Sequence, residues 1–342
     1  MTGYFLRRFV LIIPTFIGIT LAVFVIMHFV PGGPVEREIL RYRMATMSEG
    51  GGVSSVAGQM ALPEDAVQEI RRYYGFDKPV HIRYVLWLGK VLRFDLGNSY
   101  VYQEPVWTVI KSRFPISVFL GLTGFLLSYL ICVPLGVLKA VKHGTRFDFI
   151  SSAIVFLGYS VPGWALGTLL LVLFGGGSFW SVFPLGGFRP DNWEYLSLSQ
   201  KAVQQAWYMA LPVFCYMVGE FATLTILTKN SLMENMSQDY VRTAFAKGLH
   251  KNRVIFVHAL RNSLIPIATG LGHVFSLILA GSFLIEKVFN IDGMGYLGYT
   301  SLLQRDYPVA LGILVIGSLL MLVGNIISDV IYAVVDPRIR FK

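Results

Sequence analysis

The side chains able to do chemistry in this chain are few, and most of them gather in one stretch. Between Asp239 and Pro266 stand Tyr240, Arg242, Thr243, Lys247, His250, Lys251, Arg253, His258, Arg261 and Asn262, with an apolar run on either side. His250 and His258 have no cysteine or acidic neighbour at ligand spacing, so no metal centre is expected there. No Gly-x-x-x-x-Gly-Lys-Ser/Thr run exists to cradle a nucleotide phosphate, and Gly175-Gly176-Gly177 lacks the lysine that would have to follow. An ATP-driven process would therefore need its ATPase on a separate polypeptide. Of the remaining ionisable groups, Glu220, His273, Glu286 and Asp329 lie in or beside apolar runs. Charge is costly there and usually faces a cavity or a partner. The alternative for each is an interhelical hydrogen bond or, for Glu286, an interfacial position; Glu220 is the best candidate for a translocation path.

The basic stretch predicts a helix over 239–247, a turn at Gly248-Leu249 and a second helix from about His250 to Ser263, after which Pro266 opens the next apolar segment. Gly248 can take the positive φ that ends one helix. Ala244, Ala246 and Gly248 are small enough to let another backbone approach. From charge alone, the cations could equally face anionic lipid heads, at about 1 kcal/mol each; spacing and small residues favour a protein partner. Such a loop is too charged to enter lipid and must lie at a membrane face.

The elements that position this loop are apolar. Hydrophobic residues make up 54% of the chain and charged ones only 14%, with a mean hydropathy of +0.60, which excludes an ordinary soluble domain. Runs of about 20 apolar residues suffice to cross a bilayer as helix, and six are present, at roughly 9–30, 115–138, 148–174, 207–228, 264–285 and 308–335. The first lacks a small-x-small cleavage site and reads as a retained helix rather than a signal peptide. The net charge of +9 does not point to nucleic acid, because in a membrane chain the placement of Lys and Arg matters more than their sum. With the N-terminus inside, Arg7, Arg8, Lys139, Lys142, Arg146, Lys229, the loop cations and Arg338, Arg340 and Lys342 share one face, so both ends are expected in the cytoplasm. Cys132 and Cys215 fall within spans and read as packing residues.

Outside the spans, the Gly/Ser-rich stretch 44–61 reads as a mobile loop. Two surface helices are expected to follow it, one from Glu64 with Val67, Ile70 and Tyr74 on one face, the other after Pro79 with Tyr84, Leu88 and Leu92. The aromatics of 175–206 and 286–307 suit an interfacial belt.

The loop resembles the coupling loop of ABC-importer permeases, in which Ala, Gly and a downstream Pro recur. Arg242-Thr243-Ala244 stands where that pattern has Glu-Ala-Ala, and Gly248 and Pro266 are farther apart than in the general pattern; both departures match the dipeptide, oligopeptide and nickel branch. Tyr74-Gly75-Phe76-Asp77-Lys78-Pro79, Asp95-Leu96-Gly97-Asn98-Ser99, Arg305-Asp306-Tyr307-Pro308-Val309 and Val335-Asp336-Pro337-Arg338 are similar to phrases of the same family. Pro31-Gly32-Gly33-Pro34-Val35, Arg146-Phe147-Asp148 and Leu227-Thr228-Lys229-Asn230-Ser231 are most similar to the subtype associated with oligopeptides and the peptide-nucleotide antibiotic microcin C.

The resemblance implies an all-α polytopic membrane protein with the six transmembrane helices of the type I ABC importer permease fold. It would comprise an N-terminal helix at 1–31, a small extracytoplasmic domain at 32–111, a five-helix permease domain at 112–336 with its coupling loop at 229–263, and a cytoplasmic tail at 337–342. Its implied ATPase-coupling residues are Tyr240, Arg242, Thr243, Ala244, Ala246, Lys247, Gly248, Leu249, His258, Arg261, Asn262 and Pro266. It implies no cofactor in this chain, with ATP and Mg in partner subunits. The implied partners are a second homologous permease, two ATP-binding subunits or one fused ATPase, a periplasmic or lipoprotein solute-binding protein, a peptide substrate and membrane lipids. The rival readings are an ion- or proton-coupled carrier acting without an ATPase, a nickel or dipeptide permease, and a non-transporting receptor or scaffold.

Overall fold

The computed structural model describes residues 2–29, 39, 64–73, 77–177, 179–269 and 282–335. His273, the stretch 44–61, the phrase at 31–35 and the tail 337–342 lie outside the described residues. Those described are helical apart from turns and two isolated β-bridges. In chain order the helices are α1 (Thr2–Phe29), α2 (Glu64–Tyr73), α3 (Val80–Val91), α4 (Val106–Val141), α5 (Arg146–Ser160), α6 (Gly163–Phe174) and α7 (Leu198–Met236). There follow α8 (Asp239–Ala246), α9 (Lys251–Arg253), a π-helical turn (Val254–Ala259), α10 (Leu260–Thr269), α11 (Phe283–Val288), α12 (Met294–Leu303) and α13 (Tyr307–Val335).

Among the described residues α1, α4, α7 and α13 are each long and apolar enough to cross a membrane. The run at 148–174, expected as one crossing, is the pair α5 and α6, bent by 95° at a short break. The cause is Pro162, which disfavours helical backbone in the residue before it; Val161 is extended, at φ −100 and ψ 120. Of the fifth run, residues 264–269 and 282–285 are described. Pro266, expected to open that run, sits inside α10, because the helix begun at Lys251 continues through the π-helical turn without a stop.

Two compact units divide the chain. The first is Met1–Ile12 with Arg113–Leu297 and Leu319–Lys342; the second is Ile13–Ser112 with Gly298–Ser318. In the first, α7 is the central element. It starts with a capping box, in which the Ser197 hydroxyl and the Gln200 side chain satisfy each other's backbone amides. Its middle buries Met209, Leu211, Val213 and Cys215 against Leu120 of α4 and Ile285 and Phe289 around α11. Gly163 lets α6 approach closely, since a Cβ there would lie 2.7 Å from the Cys215 carbonyl. Cys132 packs with Leu224 and Ile267, so both cysteines are free and buried in apolar surroundings.

In the second unit, α3 docks on α1. The Tyr84 hydroxyl lies 3.0 Å from Thr20 Oγ1 and donates to the Ile17 carbonyl, while the Phe24 ring meets Tyr84 edge-on and lies tilted against Trp87. The buried stripe is Tyr84 and Val91, not Tyr84 and Leu92; Leu92 is 68% exposed. The stripe follows i, i+7, because Leu92 is one residue past the helix end. A second anchor is the fully buried Asp306, which precedes α13. Its carboxylate accepts from the Ser99 hydroxyl and from the backbone amides of Tyr100 and Val101. Thus two of the sequence phrases, one ending in Ser99 and one beginning at Arg305, form a single contact.

Replacing Asp306 with Ala removes the acceptor of the buried Ser99 hydroxyl and of the half-buried Tyr100 amide, while the Val101 amide keeps Ser99 Oγ, and should cost about 1–3 kcal/mol. A lowered melting midpoint in detergent, larger than the drop caused by Ser99→Ala, is the expected result; a wild-type midpoint would remove Asp306 from the anchor role.

Candidate functional site

The loop after α7 is built by its own apolar residues. Val241 and Ala244 of α8, Val254 and Ile255 of the π-helical turn, and Ala259 pack with Val137 and Ala140 of α4 and Leu232 of α7 into one buried cluster. Helix α8 then stops on a complete Schellman turn. The Gly248 amide donates to the Phe245 carbonyl and the Leu249 amide to the Ala244 carbonyl, while Leu249 folds back onto the same cluster. Gly248 has φ +77, the backbone expected of it, with no other atom of the chain within 4 Å of where a Cβ would stand. His250 starts the next segment as a cap, its Nδ1 accepting from the Asn252 amide at 3.3 Å.

This packing sorts the sequence candidates into two faces. Tyr240, Arg242, Thr243, Ala246, Lys247 and Gly248 are exposed on α8 and its turn, together with Phe245, 47% exposed. Arg261 and Asn262 are exposed farther on, and His258, Leu249 and Pro266 are half-buried. Ala244 does not join them: it is 6% exposed and faces the cluster, so its small size serves the chain's own packing. Phe245 was missed because an aromatic four residues after Val241 reads as core; the buried cluster takes Val241 and Ala244 and leaves Phe245 at its margin.

The other ionisable candidates separate likewise. Glu220 is exposed near the middle of α7. Asp329 of α13 pairs with Arg8 of α1 at 3.1 Å. Glu286, just beyond the fifth apolar run, is fully buried. Its Oε1 accepts from the Ser117 and Tyr216 hydroxyls at 3.1 and 3.4 Å and its Oε2 from the Tyr296 amide at 2.7 Å. Gly293 leaves room for that carboxylate, since a Cβ there would come within 2.6 Å of it. Ser117 and Tyr216 also receive the Met294 and Ser282 amides, so Glu286 joins α4, α7 and the segments flanking α11. Burial pushes its carboxyl up to about 7, against the opposing pull of these donors. No cluster of three or more metal-ligating side chains occurs among the described residues.

Helices of this length, a bent helix pair and a basic loop seated on helix ends fit a subunit that spans a membrane. Residues 132–341, more than half the chain, match the family described as binding-protein-dependent transport system inner membrane component, and the chain belongs to that family. Over its full length it is 39% identical to the peptidoglycan transport system permease protein YejB of Agrobacterium fabrum, covering 99% of that protein. It is equally 39% identical to the inner membrane ABC transporter permease protein YejB of Escherichia coli O157:H7, and 33% identical to the dipeptide transport system permease protein DppB of Escherichia coli K12; each is covered in full. The YejB likeness agrees with the subtype read from residues 146–148 and 227–231.

The raised Glu286 pKa fixes the sign of a pH effect. The folded chain holds this proton up to about pH 7 while the unfolded chain releases it near 4.5, so the stabilisation is full below 4.5 and is lost as pH rises through 7. The span corresponds to about 3 kcal/mol. Melting of the detergent-purified chain between pH 4.5 and 8 should show this slope, and Glu286→Gln should flatten it; an unchanged slope in the variant would assign it elsewhere.

Proposed function

We propose that this chain is one permease subunit of a type I ABC importer that moves peptides or peptide-containing solutes inward by alternating access. The reading rests on one observation above all: α8 is fixed by Val241 and Ala244 and leaves Arg242, Phe245, Ala246 and Lys247 exposed. An anchored helix with an aromatic and cations on its free face is suited to being gripped. A pull on α8 is borne by the shared core with α4 and α7, so displacement there moves spanning helices rather than a loose loop.

In this reading ATP and Mg are bound by two separate ATPase subunits or one fused ATPase, and no bond is made or broken in this chain. A second homologous permease completes the pathway, and a solute-binding protein delivers cargo from outside. Both termini and the loop face the cytoplasm, six helices cross the membrane, and residues 32–111 lie outside. The lysine and arginine placement supports that orientation. Glu220, exposed at mid-helix, lines the path or meets the second permease, since a carboxylate facing lipid would be costly. The peptide assignment is supported by the relatives, which are named as peptidoglycan and dipeptide transport permeases.

Affinity purification in mild detergent with the native partners present tests the proposal. A second permease and ATPase subunits are expected to accompany the wild-type chain, whereas a homo-oligomer without ATPase would favour an ion-driven carrier. Gly248→Asp separates docking from folding, because Asp tolerates positive φ better than most residues while adding bulk and charge at the free face. It should leave membrane abundance unchanged and lower uptake by roughly tenfold or more, about 1.4 kcal/mol of docking affinity. Normal uptake in a well-expressed variant would contradict docking at this turn.

A further inference from the structure

Two sequence phrases that the docking loop does not use, Arg146-Phe147-Asp148 and Leu227-Thr228-Lys229-Asn230-Ser231, meet in the fold. Asp148, in the first turn of α5, is 6% exposed. Its carboxylate accepts from Lys229 Nζ of α7 at 2.7 and 2.8 Å. Lys139 of α4 lies 3.1 Å away on the other side, and the Gly144 amide and His143 Nδ1 complete the shell at 3.2 and 3.1 Å. Lys139 is 1% exposed and is held as well by the Asp148 carbonyl and the Ser151 and Ser152 hydroxyls, at 2.9, 2.8 and 2.7 Å.

Such a cluster is not explained by stability. A buried ion pair recovers little beyond its desolvation cost, and apolar side chains of similar volume would hold the helices as well. What the charges add is direction: a pair at 2.7 Å fixes α5 against α7 in register, where apolar side chains would tolerate sliding. The position of Lys229 supplies the rest. It lies roughly two turns before the end of α7, which leads into α8. Next to it, Ser231 and Ser263 exchange hydroxyl-to-carbonyl bonds at 3.0 and 3.3 Å, so the helices entering and leaving the loop are bound together. On the other side of the pair, α5 runs directly to the 95° bend at Val161-Pro162.

We infer that Asp148 and Lys229 are positioning residues for transport: the pair carries displacement of the docking loop into the bent helix pair α5/α6, with Lys139 holding Asp148 in place. The inference rests on the docking of an ATPase at α8.

The test uses the complete complex, reconstituted with its own ATPase and binding protein in proteoliposomes, with ATP hydrolysis and uptake of a radiolabelled mixture of short peptides measured on the same preparation. Lys229→Gln and Asp148→Asn should assemble at wild-type stoichiometry and still hydrolyse ATP, while uptake per ATP falls roughly fivefold or more. Lys229→Arg, which keeps the charge and the donors, should stay near the wild-type ratio. A pair acting only in folding would lower the amount of complex and leave the ratio unmoved. An unchanged ratio in both neutral variants therefore overturns the inference, and so does failure of both to assemble. A wild-type complex that purifies without an ATPase would instead bring down the docking reading itself, and this inference with it.

Discussion

Charge and polar backbone withdrawn from water must find partners inside the protein, and that requirement shapes this chain more than any single apolar contact. Asp148 takes its partners from α4, α7 and the turn between α4 and α5. Glu286 takes them from α4, α7 and the start of α12, and Asp306 from the segment around Ser99. Asp148 and Glu286 are thus joints between helices that the apolar stripes alone would let slide, and Asp306 ties the Ser99 turn to the start of α13. In hydrocarbon there is little hydrophobic drive to bring helices together, so small residues and polar joints decide which pairs form. Gly163 against the Cys215 carbonyl and Gly293 beside the Glu286 carboxylate are the places where the absence of a side chain permits the joint.

The basic loop after α7 follows the same economy. Its charges stay on the free face, and its inward face is a small apolar cluster shared with the ends of α4 and α7. The Schellman turn at Gly248 satisfies the last carbonyls of α8 with backbone amides, and Leu249 seals it from below. The result is a short helix whose position is set by two long ones. That is the mechanical requirement for turning a grip on the surface into motion within the membrane.

Much of this was legible in the sequence, for identifiable reasons. Long apolar runs mark the spans at α1, α4, α7 and α13 because crossing hydrocarbon demands length and leaves little choice of residue. Gly248 announced its positive φ because few residues reach it readily. The inward turn of Ala244 could not be read, since a small residue suits a partner's approach and a tight core equally well. The break at Val161-Pro162 was visible as a proline, but its size was not, because a proline in a spanning helix is often absorbed by neighbours, as Pro14, Pro134 and Pro212 are within continuous helices here. Lys139 and Lys229 registered as charges counted toward orientation, and Asp148 and Lys229 as members of two separate phrases. Their meeting depends on three helices that no local pattern brings together.

The most direct measurement of the central claim is site-specific cross-linking from α8 to the ATPase within the assembled complex, starting from Cys132 and Cys215, which are buried and give little background. A cysteine at Ala246, on the free face, should cross-link to the ATPase subunit, and one at Ala244, on the packed face, should not. A complex that contains its ATPase but gives no adduct from Ala246, or gives the same adduct from exposed Tyr195 in the 175–206 segment, would contradict docking at this loop.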